Sequence, residues 1–185
     1  MNIIFKFLIS TIALTACNPN NIDNKKREEI EHEEPIENTQ KVLRVLAIGN
    51  SFSEDSVEQN LYEIAASTGD SLVIGNLPIG GATLKIHYEN AISDAKTYRY
   101  RDIIAGQIKY IPNSSISEVI KSKDWDIITV QQASRHSGIT DSYIPYLKDL
   151  VNYIRETSIN KDVKIGLHLT WAWLQDRLNV DGYYN

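Results

Sequence analysis

The chain has 185 residues, 42% of them hydrophobic and 23% charged, with a formal charge of −5. That balance excludes a disordered or low-complexity chain and fits about one domain, at ~100–200 residues per domain. A pI near 5.4 without a basic cluster argues against nucleic acid as a partner, and a single cysteine excludes an intrachain disulfide and a four-cysteine metal site.

Residues 1–16, MNIIFKFLISTIALTA, hold one lysine in an apolar run that ends in small residues. The run has the make-up of a secretory signal peptide and falls short of the ~20 apolar residues that span a bilayer. Leu14-Thr15-Ala16-Cys17 then resembles a bacterial lipobox. That resemblance implies cleavage before Cys17 and acyl chains on its thiol and new amine. It also implies a lipid-anchored protein of the bacterial cell envelope, on the outer membrane or facing the periplasm. Residues 18–40 are almost all polar or charged, so 17–40 reads as the lipidated cysteine and a flexible tether. The folded domain is expected over 41–185.

Residues 42–48, VLRVLAI, form a short aliphatic run that predicts a buried strand. Val57, Leu61, Ile64 and Ala65 recur at helical spacing and predict a helix over 54–68, with Gly69 as its cap. A second strand is predicted over 71–77, a permissive loop at Gly80-Gly81 and a helix over 83–93. The tyrosines and isoleucines of 97–112 suggest a hairpin-like insertion. Ser114 or Ser115, with Glu118 near N3, predicts a capped helix to about residue 122. A third strand follows over 126–131, a helix from Asp141 or Ser142 to 157 with Pro145 in its first turn, and a fourth strand over 163–169. Alternating strands and helices imply an α/β fold: a three-layer sandwich with a central parallel sheet between helices.

Ligands of such sheets sit beyond the carboxyl ends of the strands. The loops there read Gly49-Asn50-Ser51-Phe52-Ser53, Ile79-Gly80-Gly81-Ala82-Thr83 and Gln131-Gln132-Ala133-Ser134. A serine at a strand-to-helix turn exposes its hydroxyl and keeps its N–H free at a helix N-terminus, which favours developing negative charge. A glycine N–H and a side-chain amide from neighbouring loops would complete an oxyanion hole. Taken singly, Ser51 could cap a helix, Gly81 serve a turn and Gln132 be a polar loop residue. Ser53 and Ser56 are rivals for the capping role.

In order along the chain, these blocks resemble the SGNH, or GDSL-type, serine hydrolases over about residues 42–170. Gly49-Asn50-Ser51 stands for the family's Gly-Asp-Ser and Gly81 for its glycine after strand two. Gln132 stands where the family has an asparagine, with Gln131 as the other candidate. The resemblance implies the flavodoxin-like fold of that family, Ser51 as nucleophile, and an oxyanion hole from Ser51, Gly81 and Gln132. It also implies ester substrates, carbohydrate acetyl esters among them, and no cofactor.

The family's base is a histidine in Asp-x-x-His. The residues three before His32, His87, His136 and His168 are Glu29, Leu84, Ala133 and Ile165. His168, at the end of the fourth strand, and His136, on the loop after the third, are the two candidates for a base or pocket histidine. Each also reads as a structural or solvated residue, and His87 reads as a helix-surface residue. The family continues through a further strand and helix, so the domain is expected to be incomplete at its C-terminus and a weak esterase at most. The histidines lack metal-ligand spacing. Trp171, Trp173, Tyr98 and Tyr100 could stack on sugars or pack a core. A non-catalytic glycan- or ligand-binding surface lipoprotein on the same fold is the alternative.

Overall fold

A computed structural model describes residues 42–170. The expected signal, Cys17, the tether, Trp171 and Trp173 lie outside the described residues. Six strands form one sheet in the order β4-β3-β2-β1-β5-β6. They are β1 (Leu43–Gly49), β2 (Leu72–Pro78), β3 (Tyr98–Ile104), β4 (Gln107–Ser114), β5 (Ile127–Gln131) and β6 (Lys164–His168). β2, β1, β5 and β6 run parallel, as the strand–helix alternation requires.

The hairpin does not stand apart as an insertion. β3 pairs antiparallel with β2 and extends the main sheet, which is therefore mixed. Its turn, Ala105-Gly106, has positive φ at both residues, the backbone a two-residue hairpin needs. Tyr98 and Tyr100 are buried in the core, so packing is their role.

The helices divide between the two faces. Helix α1 covers one face; it starts as α over Ser51–Ser53, continues as π-helix over Glu54–Leu61 and ends as α over Tyr62–Ser67. Its Val57, Leu61, Tyr62 and Ala65 pack on Ala47, Leu72, Ile74 and Ile103. Helices α2 (Leu84–Ile92), α3 (Ile116–Ser122) and α4 (Tyr146–Thr157) cover the other face. There Leu84, Ile116, Ile120, Leu150 and Ile154 meet Leu46, Ile48, Ile128 and Val130 around Trp125. Each such buried side chain contributes about 1.5–3 kcal/mol. Alternation along β1 splits its side chains between the two layers, which makes this a three-layer α/β fold.

Helix α3 has the expected capping box, Ser115 and Glu118 bonding each other's backbone. Helix α4 departs from expectation. It starts at Tyr146, with Pro145 as N-cap, and Thr140–Tyr143 forms a separate 3-10 turn. The proline ring bars the α conformation from the residue before it, and Ile144 is accordingly extended at φ −103° and ψ 131°.

His87 corrects the helix-surface reading, because it is fully buried under the sheet. Its Nδ1 lies 2.9 Å from the Tyr98 hydroxyl, and its buried Nε2 has no hydrogen-bond partner among the described residues. Burial pulls its pKa from 6.5 down to about 4. Between those two values the unfolded chain holds a proton that the folded chain excludes. Stability should therefore be full above pH 6.5 and fall as the pH drops toward 4, at ~1.4 kcal/mol per unit. Urea midpoints of the parent and His87→Gln at pH 7.5 and 4.5 check this. Equal losses in the two proteins would count against it.

Candidate active site

The strand register sets the site. Gly49 pairs with Pro78, and Ile48 pairs with Val130 on the other side, so the loops after β2, β1 and β5 emerge side by side. Gly49 admits no side chain. A Cβ there would lie 2.8 Å from Ser53 Oγ and 2.9 Å from Gln131 Oε1.

Asn50 joins the three loops and is 1% exposed. Its Oδ1 accepts from Phe52 N (3.2 Å), which caps α1. Its Nδ2 donates to the carbonyls of Ala82 and Gln132, each at 3.3 Å. Its own N–H donates to Gln131 Oε1 at 3.2 Å. An amide suits this position because it accepts on one side and donates twice on the other. A carboxylate, which the Gly-Asp-Ser block would supply, has nothing to donate to two carbonyl oxygens.

With Asn50 as the cap, Ser51 is released from that role. Ser56 Oγ donates to the Phe52 carbonyl (2.7 Å), and Ser53 Oγ shares its hydrogen between the Asn50 carbonyl (2.8 Å) and Asn76 Oδ1 (3.0 Å). Ser51 is exposed, and its hydroxyl makes no hydrogen bond among the described residues. It lines a cavity of about 220 Å³ with Asn50, Phe52, Gly81, Ala133, Ser134 and Arg135. Gly81 holds φ +66°, a conformation that disfavours any side chain, and the space around its Cα is open. No protein acceptor among the described residues takes the N–H of Ser51 or of Gly81. The structure thus brings Ser51 and Gly81 together with two unspent donors.

Gln132 is not brought into this set. It is 2% exposed, and its Nε2 donates to the Ser142 carbonyl (2.9 Å) and Ser142 Oγ (3.1 Å). Its Oε1 accepts from the N–H groups of Leu84 and Ala133. Both ends of the amide hold loops together, so the expectation of an oxyanion donor at Gln132 is corrected. Gln131, the other candidate, supports Asn50 from below, and its buried Nε2 has no partner among the described residues.

Neither candidate histidine lines the cavity. His168 Nε2 lies 3.2 Å from Ser56 Oγ, and burial lowers its pKa. His136 is partly buried in the 3-10 turn Ser134–His136, where its carbonyl accepts from Ser142 Oγ. Among the described residues no group of His, Cys, Asp or Glu is arranged to hold a metal.

A polar network behind the serine turn escaped the sequence reading. Asn76 of β2 is fully buried, and its Nδ2 donates to Glu58 Oε1 at 2.5 Å. Arg101 of β3 reaches Glu58 (2.5 Å) and Glu54 (2.8 Å), both on the π-helical stretch of α1. The chain Arg101–Glu58–Asn76–Ser53–Asn50 therefore ends on the residue before Ser51. A polar residue inside an aliphatic strand, Asn76 in LVIGNLP, was the available signal.

Residues 44–184 match a family described as a domain of unknown function, DUF4886. The chain belongs to the DUF4886 family. A crystal structure of a DUF4886 family protein from Bacteroides uniformis ATCC 8492 aligns with a TM-score of 0.71 at 42% sequence identity. The alignment covers 77% of this chain and 55% of that one, so this DUF4886 chain spans about half the length of that relative. No curated protein matches it. The matched DUF4886 span contains all seven residues that line the cavity.

Proposed function

We propose that this DUF4886 domain is a serine ester hydrolase of the SGNH type, with Ser51 as nucleophile. One observation carries the reading. An unpartnered, exposed serine hydroxyl shares a cavity with two free backbone N–H groups, its own and that of Gly81. Attack by Ser51 Oγ on an ester carbonyl would place the developing oxyanion against those two donors, and loss of one such donor typically costs roughly 10²–10³ in rate. The order of the blocks at Gly49-Asn50-Ser51 and Gly81 supports the same family, and carbohydrate acetyl esters are the substrate class that goes with it. The lipobox at Cys17 adds an envelope location through lipid; among the described residues no helix is long and apolar enough to cross a membrane.

The second reading is a non-catalytic ligand-binding lipoprotein on this fold. It is favoured by the absence, among the described residues, of a histidine in contact with Ser51. Labelling with a fluorophosphonate probe separates the two. The expected result is a slow covalent adduct on the full chain, located at Ser51 by mass spectrometry and lost in Ser51→Ala. Slow reaction is expected because a serine without a base in contact is a weak nucleophile. No adduct with excess probe, or an adduct that survives Ser51→Ala, would overturn the nucleophile assignment.

A further inference from the structure

We propose that the cavity at Ser51 selects a substrate carrying an oxyanion, a carboxylate or a phosphate, which Arg135 binds beside the ester; this rests on the Ser51 reading for the word substrate only. Arg135 is the one charged residue among the seven that line the cavity. It is exposed and makes no hydrogen bond or ion pair among the described residues. Among the described residues, ion pairs join Arg101 to Glu54 and Glu58, Lys123 to Asp102, Lys96 to Glu118 and Lys85 to Glu89. At the cavity no carboxylate is supplied.

The backbone that carries this charge is fixed. His136 N donates to the Ala133 carbonyl (2.9 Å), and Ser137 Oγ to that of Ser134 (2.7 Å). Tyr143 Oη donates to the Ser137 carbonyl (2.8 Å), and Gln132 Nε2 ties the turn to Ser142. The turn is thus held from both sides, and Arg135 lines the cavity from it. A guanidinium presents paired N–H donors that match two oxygens of a carboxylate or phosphate at once. The unspent N–H groups of Ser51 and Gly81 add to a positive potential inside the same cavity, so a neutral ester would leave three sets of donors to one carbonyl oxygen.

The test is equilibrium binding, which does not depend on turnover. The full chain carrying Ser51→Ala, labelled with ¹⁵N, is titrated with 4-acetoxybenzoate, with 4-acetoxyphenyl phosphate and with neutral methyl 4-acetoxybenzoate. The expected result is saturable shifts of the Gly81 N–H resonance, with at least one anionic ester bound about tenfold or more tightly than the neutral one. Which anion binds tighter distinguishes carboxylate from phosphate. Arg135→Gln should remove the preference, and Arg135→Lys should keep part of it. Equal affinities for charged and neutral esters, a preference that survives Arg135→Gln, or no binding of any of the three would overturn the proposal. Binding as expected together with no fluorophosphonate adduct on the parent chain would leave the anion subsite standing and sink the hydrolase reading.

Discussion

Glu58→Ala should lower the stability of the domain by roughly 3–5 kcal/mol, the usual cost of breaking a buried ion pair from one side. The side chain of Glu58 is 7% exposed and that of Arg101 17%, so solvent replaces little of what is lost. Arg101 keeps Glu54, whose side chain is 36% exposed, and so remains partly compensated. Asn76 fares worse, because its Nδ2 loses the acceptor at 2.5 Å inside the sheet. A stranded buried donor alone costs about 1–3 kcal/mol. Urea unfolding followed by circular dichroism reads the total, and a change within about 0.5 kcal/mol of the parent would show that the network carries no weight. Glu58→Gln keeps an acceptor for Asn76 and should recover part of the loss. The same variants test positioning. Asn76 holds Ser53, and Ser53 holds the Asn50 carbonyl at 2.8 Å, one residue before the candidate nucleophile. In native conditions, fluorophosphonate labelling of Ser51 should slow in Glu58→Ala and return in Glu58→Gln.

The second large effect is expected from Asn50→Asp, an exchange of near-equal volume. The aspartate would face the carbonyl oxygens of Ala82 and Gln132 where the amide donated to both. An ionised carboxylate there is repelled and buried, so the native state should hold its proton and raise its pKa above the unfolded value of ~3.9. The sign follows. From the unfolded value up to the raised one, the native state binds more protons than the unfolded state, so stability falls as pH rises. Above the raised value the loss is constant, at roughly 3 kcal/mol. Below the unfolded value only the lost donation remains. Urea midpoints of parent and variant across pH 4 to 8 should diverge as the pH rises. A constant gap would mean that the carboxylate finds donors the native loop does not offer the amide. This result would also explain why the Gly-Asn-Ser block of this chain departs from Gly-Asp-Ser.

Much of the fold was legible because its signals are local. VLRVLAI and SLVIGNL are aliphatic runs of strand length, and Val57, Leu61 and Ala65 fall on one side of a helix whatever else the chain does. The capping box at Ser115 and Glu118 spans three residues and forms as expected. The hairpin was legible as a hairpin, but nothing within 97–112 names β2 as its neighbour. Helix α4 was placed too early because Pro145 was read into its first turn, whereas it holds Ile144 extended and stands as the cap.

The candidate site divides in the same way. Ser51 and Gly81 were legible because strand ends gather loops, and a serine and a glycine there have few other tasks. Gln132 was misread because an amide looks the same whether it faces a ligand or a loop. Its partner, Ser142, is ten residues on and meets it only after the 3-10 turns have formed. Likewise His87 reads as a polar helix residue until Tyr98 arrives from β3 to bond it.

The sequence by itself determined the parallel strands, the hairpin, most of the helices and their order along the chain. Those follow from side-chain periodicity and the handedness of strand–helix–strand crossings, which need no knowledge of partners. Tertiary structure alone decided which polar groups are spent and which are free. Asn50, Gln131 and Gln132 are held in long-range bonds, whereas Ser51, Gly81 and Arg135 line the cavity with no such bond among the described residues. A hydrogen bond joins groups across the fold without leaving a pattern along the chain, so the difference between a structural amide and a free donor exists only once the sheet has brought the loops together.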